Sequence, residues 1–162
     1  MNNSSWHEGG CFCGEVRFRV RGDAVWKGGC TCNSCVKSHG APYVVWAGFE
    51  KSDFEVFKGN LNSYISQPNV TREFCSKCGS TLTYGKNAAG NPALAEAANI
   101  IYVAVASLDE PQAYPPDEVV HGQEKIEWLH LGNEIPIRDF VSPVVSHLQF
   151  GGINQTQEDP TK

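Results

Sequence analysis

The chain of 162 residues is 41% hydrophobic and 19% charged, which is typical of a soluble globular protein with its own core. It carries 13 Lys and Arg residues against 18 Asp and Glu residues, and the net charge of −5 provides no broad basic surface for nucleic acid. The N-terminal segment MNNSSWHEGG does not resemble a signal peptide, and no stretch approaches the ~18 apolar residues of a membrane span. We therefore expect a cytoplasmic protein without nucleic-acid or membrane partners, and its oligomeric state stays open.

The chain predicts mostly short strands separated by Gly and Asn. Alternating β-branched and aromatic residues predict strands over 15–20, 43–49, 54–57, 61–65, 81–84 and 100–106, with a weaker candidate over 125–129. A short helical turn is expected after Cys32, ending at Gly40, and two turns over 92–98. Trp26, Trp46 and Trp128 are expected in the core. These elements predict a mainly β domain of short antiparallel sheets over residues 1–148, followed by a flexible tail over 149–162.

All seven cysteines lie in three tight clusters. The sequence places Cys11 and Cys13 in CFCG, the middle cluster in CTCNSC, and Cys75 and Cys78 in CSKCG. In a reducing compartment, clustered cysteines are more often metal ligands or catalytic groups than disulfides. The spacing therefore predicts metal binding rather than scattered buried thiols.

The first and last clusters can together supply four ligands. In the Cys-x-x-Cys-Gly motif the two thiolates face one metal, and Gly79 is expected to adopt a positive φ. Cys11 and Cys13 lie two apart, and on an extended segment both side chains would face the same side. We predict a closed structural zinc site that joins the first strand to a loop more than 60 residues later.

The middle cluster offers Cys30, Cys32 and Cys35, which leave one position of a tetrahedral ion free. An open position is typical of catalytic zinc. The alternative is a second closed site completed by His39 or a water. An iron–sulfur cluster is less consistent with this spacing, because such clusters use four cysteines at other intervals.

These motifs, in this order, resemble the glutathione-dependent formaldehyde-activating enzyme family, also called the centromere protein V family. The resemblance covers about residues 6–130 and rests on GGCFCGEVRFRV, CTCNSCVKSHGAPYVVW, TREFCSKCGSTLTYG, VAVASLDEPQAYPPDEV and IEWL. It implies an Mss4-like β-tent braced by two zinc ions. Cys11, Cys13, Cys75 and Cys78 would hold the structural zinc, and Cys30, Cys32 and Cys35 the catalytic zinc.

The resemblance also implies carbon–sulfur lyase chemistry, in which glutathione and formaldehyde interconvert with S-hydroxymethylglutathione. Two positions depart from relatives: Thr31 replaces a frequent His, and His39 stands where Ser or Thr is common. The common pair of basic residues after Cys35 is reduced to Lys37. These differences concern the substrate more than the metal.

Substrate contacts are expected beside the middle cluster. Glutathione carries two carboxylates, so a cationic rim is needed, and Lys37 and Arg72 lie next to the cysteine motifs. We expect a small thiol to coordinate the middle zinc through sulfur near Lys37 and His39, with Arg72 as a further contact. Two alternatives stay open: a non-catalytic zinc-dependent thiol carrier, and a structural zinc module that binds another macromolecule.

Overall fold

The structure is a computed structural model that describes residues 5–88, 92–132 and 134–139. The expected tail over 149–162 lies outside these residues, as does the expected domain end at 148. No helix in the described segments is long and apolar enough to cross a membrane.

The elements of the fold are mostly short strands. The ten strands are β1 Trp6–Gly10, β2 Arg17–Arg21, β3 Trp26–Cys30, β4 Val44–Glu50, β5 Phe54–Lys58, β6 Asn62–Gln67, β7 Val70–Phe74, β8 Thr81–Lys86, β9 Ile100–Ala104 and β10 Glu118–Val120. The helices are α1 Asn33–His39 and the single turn α2 Ala95–Ala98. Short 3₁₀ turns cover Lys51–Asp53, Pro92–Leu94, Val105–Ser107, Pro111–Ala113 and Gly122–Glu124.

The strands form two sheets of unequal size. The small sheet has the order β1-β2-β5 and is antiparallel throughout. The large sheet has the order β10-β3-β4-β9-β8-β7-β6, and only its edge strand β10 runs parallel to its neighbour, β3. The predicted mainly β fold class is confirmed. The two cysteine clusters are also grouped closely enough to hold metal ions that would brace the sheets.

Two groups of buried side chains form the core. The first packs the small sheet against the large one through Val16, Phe18, Phe49, Leu82 and Val103. The second lies on the large sheet around Trp46 and Tyr102. Each group includes sulfur atoms, Cys11 and Cys75 in the first and Cys30 and Cys35 in the second. Both cysteine clusters are therefore continuous with apolar core.

The predictions hold for most elements and fail at identifiable places. Each strand predicted before residue 107 has a counterpart shifted by a few residues, and α1 ends at Gly40, whose φ of 59° lies in the left-handed region. The weaker candidate over 125–129 is wrong, because this segment forms turns and leaves Trp128 66% exposed. Trp128 is consequently not a core residue. Strands β1, β3, β7 and β10 were not predicted.

Candidate metal centres

The four-cysteine cluster brings two distant loops together. Cys11 and Cys13 lie in the turn between β1 and β2, and Gly14 donates from its backbone N–H to the Cys11 carbonyl at 3.0 Å. The expectation of an extended segment here is wrong, since the chain must reverse direction to pair β1 with β2. The turn nevertheless sets the Cys11 and Cys13 sulfurs 3.6 Å apart.

The second half of this cluster is the loop between β7 and β8. The Gly79 N–H donates to the Cys75 carbonyl at 2.8 Å, and Gly79 has the predicted positive φ, 76°. The Cys13 sulfur lies 3.9 Å from that of Cys75, 62 residues away along the chain. All four sulfurs, including that of Cys78, lie within 4.8 Å of one another.

Hydrogen bonds to two sulfurs of the four-cysteine cluster, those of Cys11 and Cys78, favour their negatively charged forms. The Val16 backbone N–H donates to the Cys11 sulfur at 3.2 Å. The Ser80 hydroxyl lies 3.2 Å from the Cys78 sulfur and, with the Ser80 backbone N–H, lowers the pKa of Cys78 to about 5. Metal-bound cysteines are thiolates, so these donors suit the ligand set. Four sulfurs at this spacing could hold one tetrahedral metal ion.

The three-cysteine cluster is assembled from one continuous stretch of chain. Cys30 ends β3, Cys32 is the N-cap of α1, and Cys35 lies in the first turn of that helix. The backbone N–H of Cys35 donates to the Cys32 sulfur at 3.5 Å. Thr31, between the first two ligands, donates its hydroxyl to the His121 carbonyl at 2.7 Å and so ties the cluster to the segment after β10. The three sulfurs lie within 4.8 Å of one another.

Negative charge in the three-cysteine cluster is shared unevenly. Hydrogen bonds from Cys30 and Cys32, together with the charge of Arg72, lower the pKa of Cys35 to about 3. Cys32 and Cys35, together with burial, raise the pKa of Cys30 far above its usual value. Three sulfurs this close, two of them from buried residues, repel one another once ionised. A bound cation relieves that repulsion, so the donor set fits a divalent metal ion.

His39 does not join the three sulfurs in a four-ligand group among the described residues. Its ring packs edge-on against Trp46, with 5.0 Å between centroids. Burial, and secondarily the charge of Arg72, lower the pKa of His39 to about 4. The imidazole is therefore neutral at pH 7, beside the cluster.

Arg72 reaches the cluster from β7. Its Nη2 lies 3.9 Å from the Cys35 sulfur, and the side chain is buried. Strand pairing places Arg72 opposite Tyr84, and Tyr84 opposite Tyr102, in one row across the large sheet. The two tyrosine rings stack with 4.6 Å between centroids, and the guanidinium lies over the Tyr84 ring at 5.6 Å.

A cavity of about 470 Å³ opens between α1 and the strands β6 to β8. Lys37 and Arg72 contribute two cationic groups to its wall, and the other lining residues are Ser34, Ser38, Tyr64, Ser66, Phe74 and Thr81. The structure thus brings Lys37 and Arg72 to one cavity, with His39 next to Trp46 nearby. The aromatic and hydroxyl wall was not predicted, because it comes from strands whose pairing the sequence does not reveal.

The SLDEP segment, residues 107–111, contacts strands β1 and β2 of the small sheet. Arg17 of β2 donates from Nη1 to Asp109 at 2.9 Å, and the Asp109 N–H donates to the Glu8 carbonyl at 2.9 Å. This part of the sequence therefore connects the small sheet to the chain after β9.

Comparisons with known proteins match most of the chain to one protein family. A family model described as glutathione-dependent formaldehyde-activating enzyme matches residues 6–124. A crystal structure of a Rhodobacter sphaeroides protein is similar, with 22% sequence identity and a TM-score of 0.48 over 80% of this chain and 98% of that chain. A search of curated proteins finds no match.

Proposed function

The chain belongs to the glutathione-dependent formaldehyde-activating enzyme family, and on that premise we propose that it is a zinc-dependent carbon–sulfur lyase. Its substrate is a thiol–aldehyde adduct such as S-hydroxymethylglutathione. The observation that carries the proposal is the group of three close sulfurs, two of them buried, with no fourth protein ligand among the described residues, beside a cationic cavity.

The two clusters take different roles in this proposal. Cys11, Cys13, Cys75 and Cys78 hold a structural zinc, since four thiolates close a tetrahedral site. Cys30, Cys32 and Cys35 hold a second zinc with one open position. When bound there, zinc supplies the chemistry of lowering a thiol's pKa, so that sulfur is nucleophilic near neutral pH.

The cavity residues bind the rest of the substrate. Lys37 is exposed at the cavity rim and attracts a carboxylate of glutathione. Arg72 adds a second positive charge deeper in the wall. His39, neutral at pH 7, contacts the bound thiol near the cluster. The hydroxyls of Ser34 and Ser38 provide further hydrogen bonds to the peptide groups of such a substrate.

We also propose a cytoplasmic location and a single domain over residues 1–148. All seven cysteines are free thiols in this structure. A reducing compartment keeps thiols in that state and supplies glutathione at the same time.

The proposal is tested by metal content and exchange kinetics. The purified protein should contain two zinc ions, and the cobalt-substituted protein should change its charge-transfer and d-d bands as glutathione is added. Exchange NMR with ¹³C-formaldehyde and glutathione should show faster formation and breakdown of the adduct than the spontaneous reaction. Binding without acceleration would indicate a thiol carrier, and a spectrum unmoved by thiols would indicate a structural zinc protein.

A further inference from the structure

Unpaired polar atoms are concentrated beside the three-cysteine cluster. Among the described residues, the buried side-chain nitrogen and oxygen atoms without a hydrogen-bond partner are His39 Nε2, Trp46 Nε1, Arg72 Nη1 and the Tyr102 hydroxyl. Buried polar atoms are paired in the large majority of cases, so each exception calls for a physical explanation. Of these four residues, only Arg72 lines the cavity beside α1.

The residues that carry these atoms form one contiguous group, with Tyr84 at its centre. The rings of His39 and Trp46 are in contact, and the Trp46 ring lies 4.7 Å from that of Tyr84. Tyr84 in turn stacks on Tyr102 and lies beneath the guanidinium of Arg72. This group contacts the three-cysteine cluster through Arg72, whose Nη2 lies 3.9 Å from the Cys35 sulfur.

Arg72 differs from the exposed arginines of the small sheet. Arg19 and Arg21 each bind a carboxylate, that of Glu55 and that of Asp53. Arg72 is buried, and the ion pairs found among the described residues do not include it. Its Nη2 has the Cys35 sulfur as an acceptor, but Nη1 has none among the described residues, so Nη1 is suited to an acceptor that arrives with the substrate.

We propose that Arg72 is a catalytic residue whose Nη1 donates a hydrogen bond to the oxygen of the thiol–aldehyde adduct. This inference rests on the proposed function. The adduct oxygen is two bonds from the sulfur, so a residue that contacts the cysteine cluster can reach it. Lys37, exposed on α1, then serves the carboxylates of the thiol instead.

The step balances without a proton from Arg72. As the thiolate adds to the aldehyde, a C–S bond forms and the C=O π pair moves onto oxygen, which takes up the proton that the thiol released to water. In reverse, the hydroxyl proton leaves, the C–S bond breaks, and the thiolate and aldehyde separate. Negative charge develops on oxygen in both directions, and a fixed donor aimed at such an oxygen accelerates reactions by roughly 10²- to 10³-fold.

Two thiols distinguish this role from carboxylate binding: glutathione, with two carboxylates, and 2-mercaptoethanol, with none. Arg72→Gln should lower the exchange rate with formaldehyde by roughly 10²-fold or more for both thiols alike. Arg72→Lys, which keeps a charged donor, should recover part of the rate. The thiol concentration that half-saturates the cobalt spectrum should change less than about threefold in both variants, as expected for an interaction made in the transition state.

The matched control is Arg21→Gln on the small sheet, which should react like the unchanged protein. A rate loss restricted to glutathione, or loss of metal from the three-cysteine cluster in both Arg72 variants, would overturn the role of Arg72. If the unchanged protein accelerates neither reaction, the proposed function fails and the role of Arg72 with it. If the unchanged protein accelerates them and Arg72→Gln does so equally, only the role of Arg72 is removed.

Discussion

The two cysteine clusters differ in how far apart their ligands lie along the chain. In the four-cysteine cluster, sulfurs in contact come from residues 62 apart, in loops of different sheets. In the three-cysteine cluster, all ligands fall within the six residues from Cys30 to Cys35, at the end of β3 and in α1. A long-range site stabilises the fold because it closes a large loop, whereas a local site can change its ligands with less effect on distant packing.

The clusters also differ in the hydrogen-bond partners of the groups around them. Around the four-cysteine cluster, the chain supplies its own donors, from the Val16 backbone and the Ser80 hydroxyl. Beside the three-cysteine cluster, Arg72 Nη1 has no acceptor among the described residues. A site completed by the protein is suited to a structural role, and a site with a spare donor is suited to an incoming ligand.

The largest expected effect comes from Cys75→Ser. Cys75 is fully buried and takes part in the contact between the two sheets, so its loss should destabilise the protein by more than about 4 kcal/mol. Thermal unfolding followed by circular dichroism measures this, with Ser76→Ala in the same loop as a control. A variant that melts like the unchanged protein would reverse the roles of the clusters.

Limited chelation should separate the two metals. We expect a mild chelator to remove about one equivalent, from the three-cysteine cluster, while far-UV circular dichroism stays unchanged. The open position gives the chelator a point of attack that a closed four-thiolate site lacks. Loss of both ions in a single step with unfolding would contradict the proposed difference.

A smaller effect on stability is expected from Cys32→Ser. Serine preserves the N-cap of α1, so the variant should remain folded and lose less than about 2 kcal/mol. It should nevertheless bind one metal fewer and show no thiol-dependent change in its cobalt spectrum. Cys32→Ala, which also removes the cap, should melt slightly lower. Unfolding of the serine variant would show that this cluster too supports the fold.

The smallest effect concerns the ion pair of Arg17 and Asp109, which also joins the small sheet to the rest of the chain. The hydrogen bond from Arg17 lowers the pKa of Asp109, so its stabilisation is present above the unfolded pKa of about 4 and is lost as pH falls through the folded value. The carboxylate is half exposed, so Asp109→Asn should cost about 0.2–1 kcal/mol at pH 7.

Urea unfolding of Asp109→Asn and of the unchanged protein at pH 7, where the cysteine clusters keep their metal, measures the Asp109 effect. Glu55→Gln, whose Arg19 partner lies within the small sheet, is the control. A cost at pH 7 as large as that of Cys75→Ser would mean that the ion pair, and not the metal, holds the sheets together.

Much of this arrangement could be predicted because the cysteine spacings and strand alternation are local signals. The cysteine groups, α1 and most strands follow from them. Strand β3 was missed because Gly28 and Gly29 look like turn residues, although Trp26 and Tyr43 cover the space beside them. Strand β7 has no apolar alternation, since it carries the buried Arg72. The burial of Arg72 depends on the pairing of β7 with β8, and the sequence of either strand alone does not reveal that pairing.

The separation of the ligands along the chain also sets the order in which the sites can form during synthesis. The three-cysteine set is complete once residue 35 has been made, whereas Cys11 and Cys13 wait for residue 78. In that interval the waiting pair can share a metal with Cys30 or Cys32, and correct assembly then requires ligand exchange. When the whole chain refolds, all seven cysteines are available at once, so zinc present from the start can bind the same mixed ligand sets. Refolding should then be slower than with zinc added late, as tryptophan fluorescence would reveal. Equal rates would show that exchange among the thiolates is never limiting.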